Sequence, residues 1–136
     1  MIREFDFLVI GSGIAGMSFA LKVAHKGKVA LICKTELEEA NTFFAQGGIA
    51  SVTNTLVDNF DKHMEDTMIA GDWISDRAAV EKVVREAPGQ IKELIEWGVE
   101  FDKNDKGDFD LHKEGGHSEF RILHHKDNTG AEIQGS

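Results

Sequence analysis

The stretch Phe7-Leu-Val-Ile-Gly-Ser-Gly-Ile-Ala-Gly16 decides the fold. A short apolar run of strand-forming residues meets a glycine-rich turn, and an apolar stretch compatible with a helix follows from Ile14 to about Lys26. Gly11, Gly13 and Gly16 have the spacing G-x-G-x-x-G, the dinucleotide fingerprint, in which each glycine has its own task. Gly11 permits the tight turn. Gly13 lets backbone approach a pyrophosphate with no Cβ in the way, and Gly16 lets the helix pack closely on the strand. The helix N-terminus then offers free N–H groups and a partial positive charge to phosphates. A glycine turn that serves packing alone is the competing interpretation. The strand–turn–helix context favours a nucleotide.

Working outward, Lys28-Val-Ala-Leu-Ile-Cys33 reads as a second buried strand, with Gly27 as the stop of the first helix. Residues 6 to 33 therefore form one βαβ unit, which implies a parallel sheet with helices on its faces. In the standard fingerprint an acidic residue ends this second strand and binds the ribose hydroxyls. Cys33-Lys34-Thr35 stands in that place and Glu36 lies slightly too far along, so the acid is missing.

The composition limits the other possibilities. A chain of 136 residues, 41% of them hydrophobic, is one domain or part of one and can bury a core. The net charge of −9 argues against nucleic acid and against an anionic membrane surface, since both need clustered Lys and Arg. A lone cysteine, Cys33, excludes an internal disulfide and fits a reducing cytoplasm. Charged Arg3, Glu4 and Asp6 argue against a signal peptide, and no apolar run reaches the ~20 residues that span a bilayer. A soluble cytoplasmic protein is expected.

Thr35 to Asn41 is polar and irregular. Thr42-Phe-Phe-Ala-Gln-Gly-Gly-Ile-Ala50 brings an aromatic pair, a glutamine and two glycines. It reads as backbone lying against a flat ligand, with Gln46 able to donate and accept, or as a buried bend. Asp58 is expected to cap a helix over Asn59 to Ala70, with Phe60, Met64 and Met68 on its core face and Gly71 ending it. Asp76 caps the next helix, with Val80, Val83, Val84 and Ala87 as its stripe. Pro88 either breaks or kinks that helix, or starts a second one carrying Ile91, Leu94 and Ile95 up to Gly98. Val99-Glu-Phe101 reads as a short strand. Asn104-Asp-Lys-Gly107-Asp is a turn, and Phe109 to His112 is the partner strand.

A second glycine pair, Lys113-Glu-Gly-Gly-His-Ser118, carries ionisable neighbours suited to a small polar substrate. His117, His124 and His125 fit no common zinc spacing, so no metal is expected. Arg121 and Lys126 read either as a solvated basic strand or as part of a site. Ser118 lacks a nucleophile-elbow context.

Taken in order, several segments carry a resemblance: Gly11 to Gly16, Cys33-Lys34, Asn41-Thr-Phe-Phe-Ala-Gln-Gly-Gly-Ile-Ala50, His63-Met-Glu-Asp-Thr67, Lys113 to Ser118 and Asp127-Asn-Thr-Gly130. Over residues 5 to 133 the chain resembles the N-terminal part of the L-aspartate oxidase family, flavoproteins of the succinate dehydrogenase/fumarate reductase superfamily. The resemblance implies an α/β, Rossmann-like FAD-binding domain with a parallel sheet. Residues 1 to 136 are its N-terminal portion, with a small β-hairpin near residues 99–112. In this superfamily a Ser or Thr before the lysine commonly replaces the ribose-binding acid, and Cys33-Lys34 occupies that place.

The resemblance also implies roles. Gly11, Ser12, Gly13, Ile14, Ala15 and Gly16 cradle the pyrophosphate, and Lys34 lies near the adenosine half. Asn41, Thr42, Phe43, Phe44, Ala45, Gln46, Gly47 and Gly48 run along the flavin. Succinate dehydrogenases and respiratory fumarate reductases place a flavin-bonding histidine where this chain has Asn41, so FAD is expected to be non-covalent. Glu114 matches the aspartate oxidase pattern Glu-Gly-Gly-His-Ser and would orient the substrate α-ammonium by a charge-assisted hydrogen bond.

The implied activity is oxidation of L-aspartate to iminoaspartate, with hydride passing from Cα to flavin N5 and oxygen or fumarate as acceptor. This is the first step of NAD biosynthesis through quinolinate, with a quinolinate synthase downstream. The family's substrate-binding arginines and histidines, capping domain and helical C-terminal domain lie beyond this stretch. The chain alone is therefore expected to be inactive, and its unpaired sheet edges to favour self-association. A fumarate reductase or succinate dehydrogenase type of flavoprotein and a non-catalytic nucleotide-binding module are the alternatives.

Overall fold

The computed structural model describes residues 2–37 and 39–136, so Glu38, within the segment read as irregular, lies outside the described residues. The chain divides into two compact units, one containing the residues through Gln46 together with Asn128–Ser136, the other Gly47–Asp127.

The first unit is built on the βαβ element that the glycine turn announces. Strand β1 (Phe7–Ile10) pairs in parallel with β2 (Val29–Ile32) in the register Phe7↔Val29 to Ile10↔Ile32, with α1 (Ile14–Val23) as the crossover. The pairing continues past the strand end, where the Gly11 N–H donates to the Ile32 carbonyl at 2.8 Å. Helix α1 stops short of the expected Lys26, and Gly27 does not cap it. Ala24 to Lys26 form a turn closed by the Lys26 N–H on the Val23 carbonyl, and Gly27 instead makes room for Asp6, whose Oδ2 accepts from the Lys28 N–H at 2.7 Å. Helix α4 (Thr129–Gly135) completes this unit. Leu8, Ile10, Phe19 and Ile32 stand 48–78% exposed on this small parallel sheet and its helix, a type of surface normally covered on both faces.

In the second unit, β3 (Ile49–Ala50) pairs antiparallel with β4 (Ile122–Leu123). Helices α2 (Phe60–Ala70) and α3 (Arg77–Glu96) pack through Met64, Met68, Val80 and Val84, with Phe60 against them. The expected apolar face of α2 is therefore the core face. Its cap differs: Asn59, not Asp58, accepts from the Lys62 N–H, at 2.9 Å. Asp58 is drawn inward by Arg121. Helix α3 begins at the expected cap, with Asp76 accepting from the Ala79 N–H, and runs unbroken through Pro88 to Glu96. The buried positions Val80, Val84, Ile91 and Leu94 explain why. They stay in helical phase across the proline, so one continuous helix buries a stripe that two helices would have to re-align. Val83, counted in the stripe, is 69% exposed.

The hairpin near residues 99–112 is present only as an isolated antiparallel bridge, Lys103↔Phe109, and Val99 to Phe101 form no strand. The backbone groups at both ends pair elsewhere. The Asp102 N–H donates to the His124 carbonyl, and His112 bridges to Ile122.

The largest departure is Arg121. It is no solvated basic residue: its exposure is 0%. Its Nε and Nη2 each donate at 2.8 Å to the two oxygens of Asp58, and Nη1 donates to Asp66 Oδ2 at 2.5 Å. Burial acts to lower the arginine pKa, but these carboxylates outweigh it and hold it above its ordinary value. Burial also acts to raise Asp66, and is outweighed by hydrogen bonds from the Ser118 N–H, Arg121 and the Ser118 hydroxyl, which hold that carboxyl below its usual range. Beside them His63 is buried, and desolvation, then the Arg121 charge, lower its pKa from 6.5 to about 4.

Removing one partner of a buried pair strands the other charge. Asp58→Ala is therefore expected to cost about 3–5 kcal/mol in urea unfolding. Lys62→Ala, at a half-buried pair with Glu119 that still reaches solvent, is expected to cost less than about 1 kcal/mol. The pH dependence follows from His63. Between pH 6.5 and about 4 the unfolded state takes up a proton that the fold refuses, so stability is complete above 6.5 and is lost as pH falls toward 4. Asp66 adds a loss of the same sign at lower pH. Unfolding free energies from urea melts at pH 7 to 4.5 should fall with a slope approaching ~1.4 kcal/mol per pH unit. His63→Leu should flatten that slope.

Candidate functional site

In the first unit the fingerprint turn has the geometry its glycines predict. Gly11 has φ +109°, a conformation that side chains other than glycine's rarely adopt. A Cβ on Gly16 would stand 2.1 Å from the Gly11 carbonyl oxygen, so the helix can sit this close to the turn only with glycine there. Gly13 is the N-cap of α1 and no side chain caps through it; the first turn carries no acidic residue. The Ile14 N–H donates to Thr42 Oγ1 at 3.1 Å, so the polar segment after β2 folds back onto the helix start. Ser12 is buried at 5% exposure, while Ile14 and Ala15 are exposed. This helix end keeps its positive pole uncompensated, and the donor set fits a pyrophosphate.

The rest of the first-unit segment lies around it. Lys34 is exposed just beyond β2, next to Cys33, whose thiol donates to the Thr35 carbonyl at 2.9 Å. Asn41 is exposed. Phe43 and Phe44 meet edge to face at 5.4 Å between centroids, and Phe44 is 67% exposed, an apolar ring available to a flat partner. The Ala45 carbonyl accepts from the Gly130 N–H at 2.9 Å, and Gln46 is exposed. A Cβ on Gly130 would fall 1.8 Å from the Thr42 carbonyl oxygen. That contact explains the Asp127-Asn-Thr-Gly130 motif: its glycine lets α4 start directly against the Thr42–Ala45 turn.

In the second unit Gly48 lies on β4, where a Cβ would come within 2.2 Å of the Leu123 carbonyl oxygen. The exposed Glu114 lies beside Gly47, its Oε1 being 3.7 Å from where a Gly47 Cβ would sit. The second glycine pair's neighbour Glu114 therefore reaches the first pair at Gly47. The loop carrying Glu114 is held from within. The His117 N–H donates to the Glu114 carbonyl, and Lys113 Nζ donates to the Ser118 carbonyl. The Ser118 N–H and hydroxyl both donate to Asp66 Oδ2 at 2.8 Å, and Arg121 Nη1 lies 3.2 Å from His117 Nδ1. Since a guanidinium only donates, His117 Nδ1 is the acceptor.

Sequence reasoning missed Asp58, Asp66 and Arg121 as the support of this loop. The available signal was Asp66 itself, inside the quoted His63-Met-Glu-Asp-Thr67 motif. The three histidines weighed as ligands take different partners: His117 joins Arg121, His125 Nδ1 meets the Glu100 carbonyl at 2.8 Å, and His124 stacks on His112.

Residues 6–135 match the family described as FAD binding domain. The chain is 49% identical over 132 residues to L-aspartate oxidase 2-b, chloroplastic, of Nicotiana tabacum, covering 97% of this chain and 20% of that protein. It is 46% identical over 139 residues to L-aspartate oxidase of Vibrio cholerae, covering 98% of this chain and 26% of that one. Among solved structures, Mycobacterium smegmatis Sdh1 in complex with UQ1 superposes with a TM-score of 0.88 at 31% identity, over 97% of this chain and 22% of that one. The chain thus spans about a fifth to a quarter of the length of the relatives it matches. Strand, glycine turn, helix and the later motifs together put the chain in the FAD binding domain family, with L-aspartate oxidases among its similar relatives.

Proposed function

We propose that this chain is the FAD-cradling part of an enzyme that oxidises L-aspartate to iminoaspartate, opening NAD biosynthesis through quinolinate. The α1 N-terminus with Gly11 to Gly16 binds the pyrophosphate, Lys34 serves the adenosine half, and Asn41 to Gly48 line the flavin. Bound FAD supplies the hydride acceptor; oxygen or fumarate then takes the electrons. The protein's own part is to bind and orient. Glu114 accepts a hydrogen bond from the substrate α-ammonium and so turns the Cα–H toward the cofactor. The product then passes to a quinolinate synthase, in the cytoplasm.

The observation that carries this reading is Glu114, an exposed carboxylate beside Gly47 on a loop that the Lys113, His117 and Ser118 hydrogen bonds hold in place. A dicarboxylate without an amine would be repelled by such a group. A succinate or fumarate flavoprotein, favoured by the likeness to Sdh1, leaves Glu114 without a partner. Asn41 supports non-covalent FAD, because an amide nitrogen lacks the nucleophilicity of imidazole. The dicarboxylate clamp belongs to the family's downstream part, so these residues alone are inactive toward aspartate.

In the full-length protein, acid precipitation is expected to release all the flavin into the supernatant; flavin retained in the washed pellet would overturn the non-covalent reading. Glu114→Gln should raise the KM for L-aspartate by roughly thirtyfold, the equivalent of about 2 kcal/mol of charge-assisted hydrogen bonding. The same variant should leave inhibition by succinate unchanged or stronger. An unchanged KM would remove Glu114 from substrate binding.

A further inference from the structure

The geometry points to a divalent-cation site formed by Asp110, His112 and His124. The donor atoms of these three side chains all lie within 4.8 Å of one another. His124 is 7% exposed, yet neither of its ring nitrogens makes a hydrogen bond. A buried imidazole with two unengaged nitrogens is costly unless something else satisfies them.

Its surroundings show what would. Nδ1 faces Asp102 Oδ2 at 3.3 Å, and Nε2 faces Asp110 Oδ2 at 3.9 Å. Asp102 is itself fixed, because its Oδ2 accepts from the Lys126 N–H at 2.7 Å. A proton on Nδ1 directed at Asp102 leaves the Nε2 lone pair aimed toward Asp110. That is the carboxylate–histidine arrangement that orients metal-binding imidazoles. The His112 ring stacks on His124 with centroids 3.6 Å apart, bringing the second imidazole to the same side. The backbone explains the convergence. His112 bridges to Ile122 two residues before His124, and Asp110 precedes His112 by two residues.

Two imidazoles and one carboxylate suit a borderline divalent ion such as Zn²⁺ or Co²⁺, with a coordination position left for water. Asp110 and His112 are exposed and His124 is buried. The ion would therefore tie the arm leading into the Glu114 loop to the end of β4. This site differs from the His117, His124 and His125 trio that spacing had brought to attention, and it stands on residues the proposed aspartate chemistry does not use. Direct contacts of His124 with Asp102 and Asp110 alone are the alternative, and they need no metal.

Zn²⁺ titration of the chelator-treated full-length, FAD-loaded protein, read by isothermal calorimetry, separates the two. One Zn²⁺ per chain is expected, with Co²⁺ giving visible d–d bands. His112→Ala and Asp110→Asn, both at exposed positions, should each weaken binding by about tenfold or more, and Zn²⁺ should raise the unfolding midpoint of the wild type but not of the double variant. No stoichiometric binding would overturn the site, as would binding or stabilisation that survives unchanged in the double variant.

Discussion

One guanidinium organises the unit from Gly47 to Asp127. Arg121 stands at the start of β4 and reaches Asp58, before α2, and Asp66, within it. Asp66 in turn holds Ser118 and with it the Glu114 loop. A buried ion pair of this kind adds little net stability compared with an apolar replacement, because desolvation offsets attraction. What it contributes is register. A planar donor fork satisfied by two carboxylates admits few arrangements of the strand, the helix and the loop around it. The neutral, desolvated His63 beside it belongs to the same constraint.

The first unit rests on contacts of a different kind, made possible by absent side chains. Gly16 lies against the Gly11 carbonyl and Gly130 against the Thr42 carbonyl. Between them Thr42 caps the start of α1 from a distance. A helix N-terminus capped by a hydroxyl rather than a carboxylate keeps its positive pole for an outside anion. The same turn that builds the fold therefore also builds the phosphate end of the proposed cofactor site. The exposed apolar residues on β1, β2 and α1 are consistent with a sheet meant to be larger than two strands.

Much of this was legible in the residues because local rules governed it. The βαβ unit follows from an apolar run, a glycine spacing and a second apolar run. The core face of α2 and the Asp76 cap follow from helical periodicity and capping chemistry. What escaped was decided by distant partners. Asp58 looks like a helix cap until a buried arginine 63 positions away claims it. Arg121 looks solvated because no local pattern reveals two aspartates on another element. Pro88 looks like a break, but the apolar stripe continues in phase through it. His112 and His124 are separated in sequence by the loop whose folding brings them together. The glycine pairs were recognised as unusual, yet the approach of Glu114 to Gly47 is tertiary information.

If Glu114 selects a substrate bearing an amine, flavin reduction in the full-length, FAD-loaded protein should distinguish aspartate from succinate. L-aspartate is expected to reduce the flavin under anaerobic conditions, and succinate is not. Flavin reduction by succinate with none by aspartate would contradict that selection.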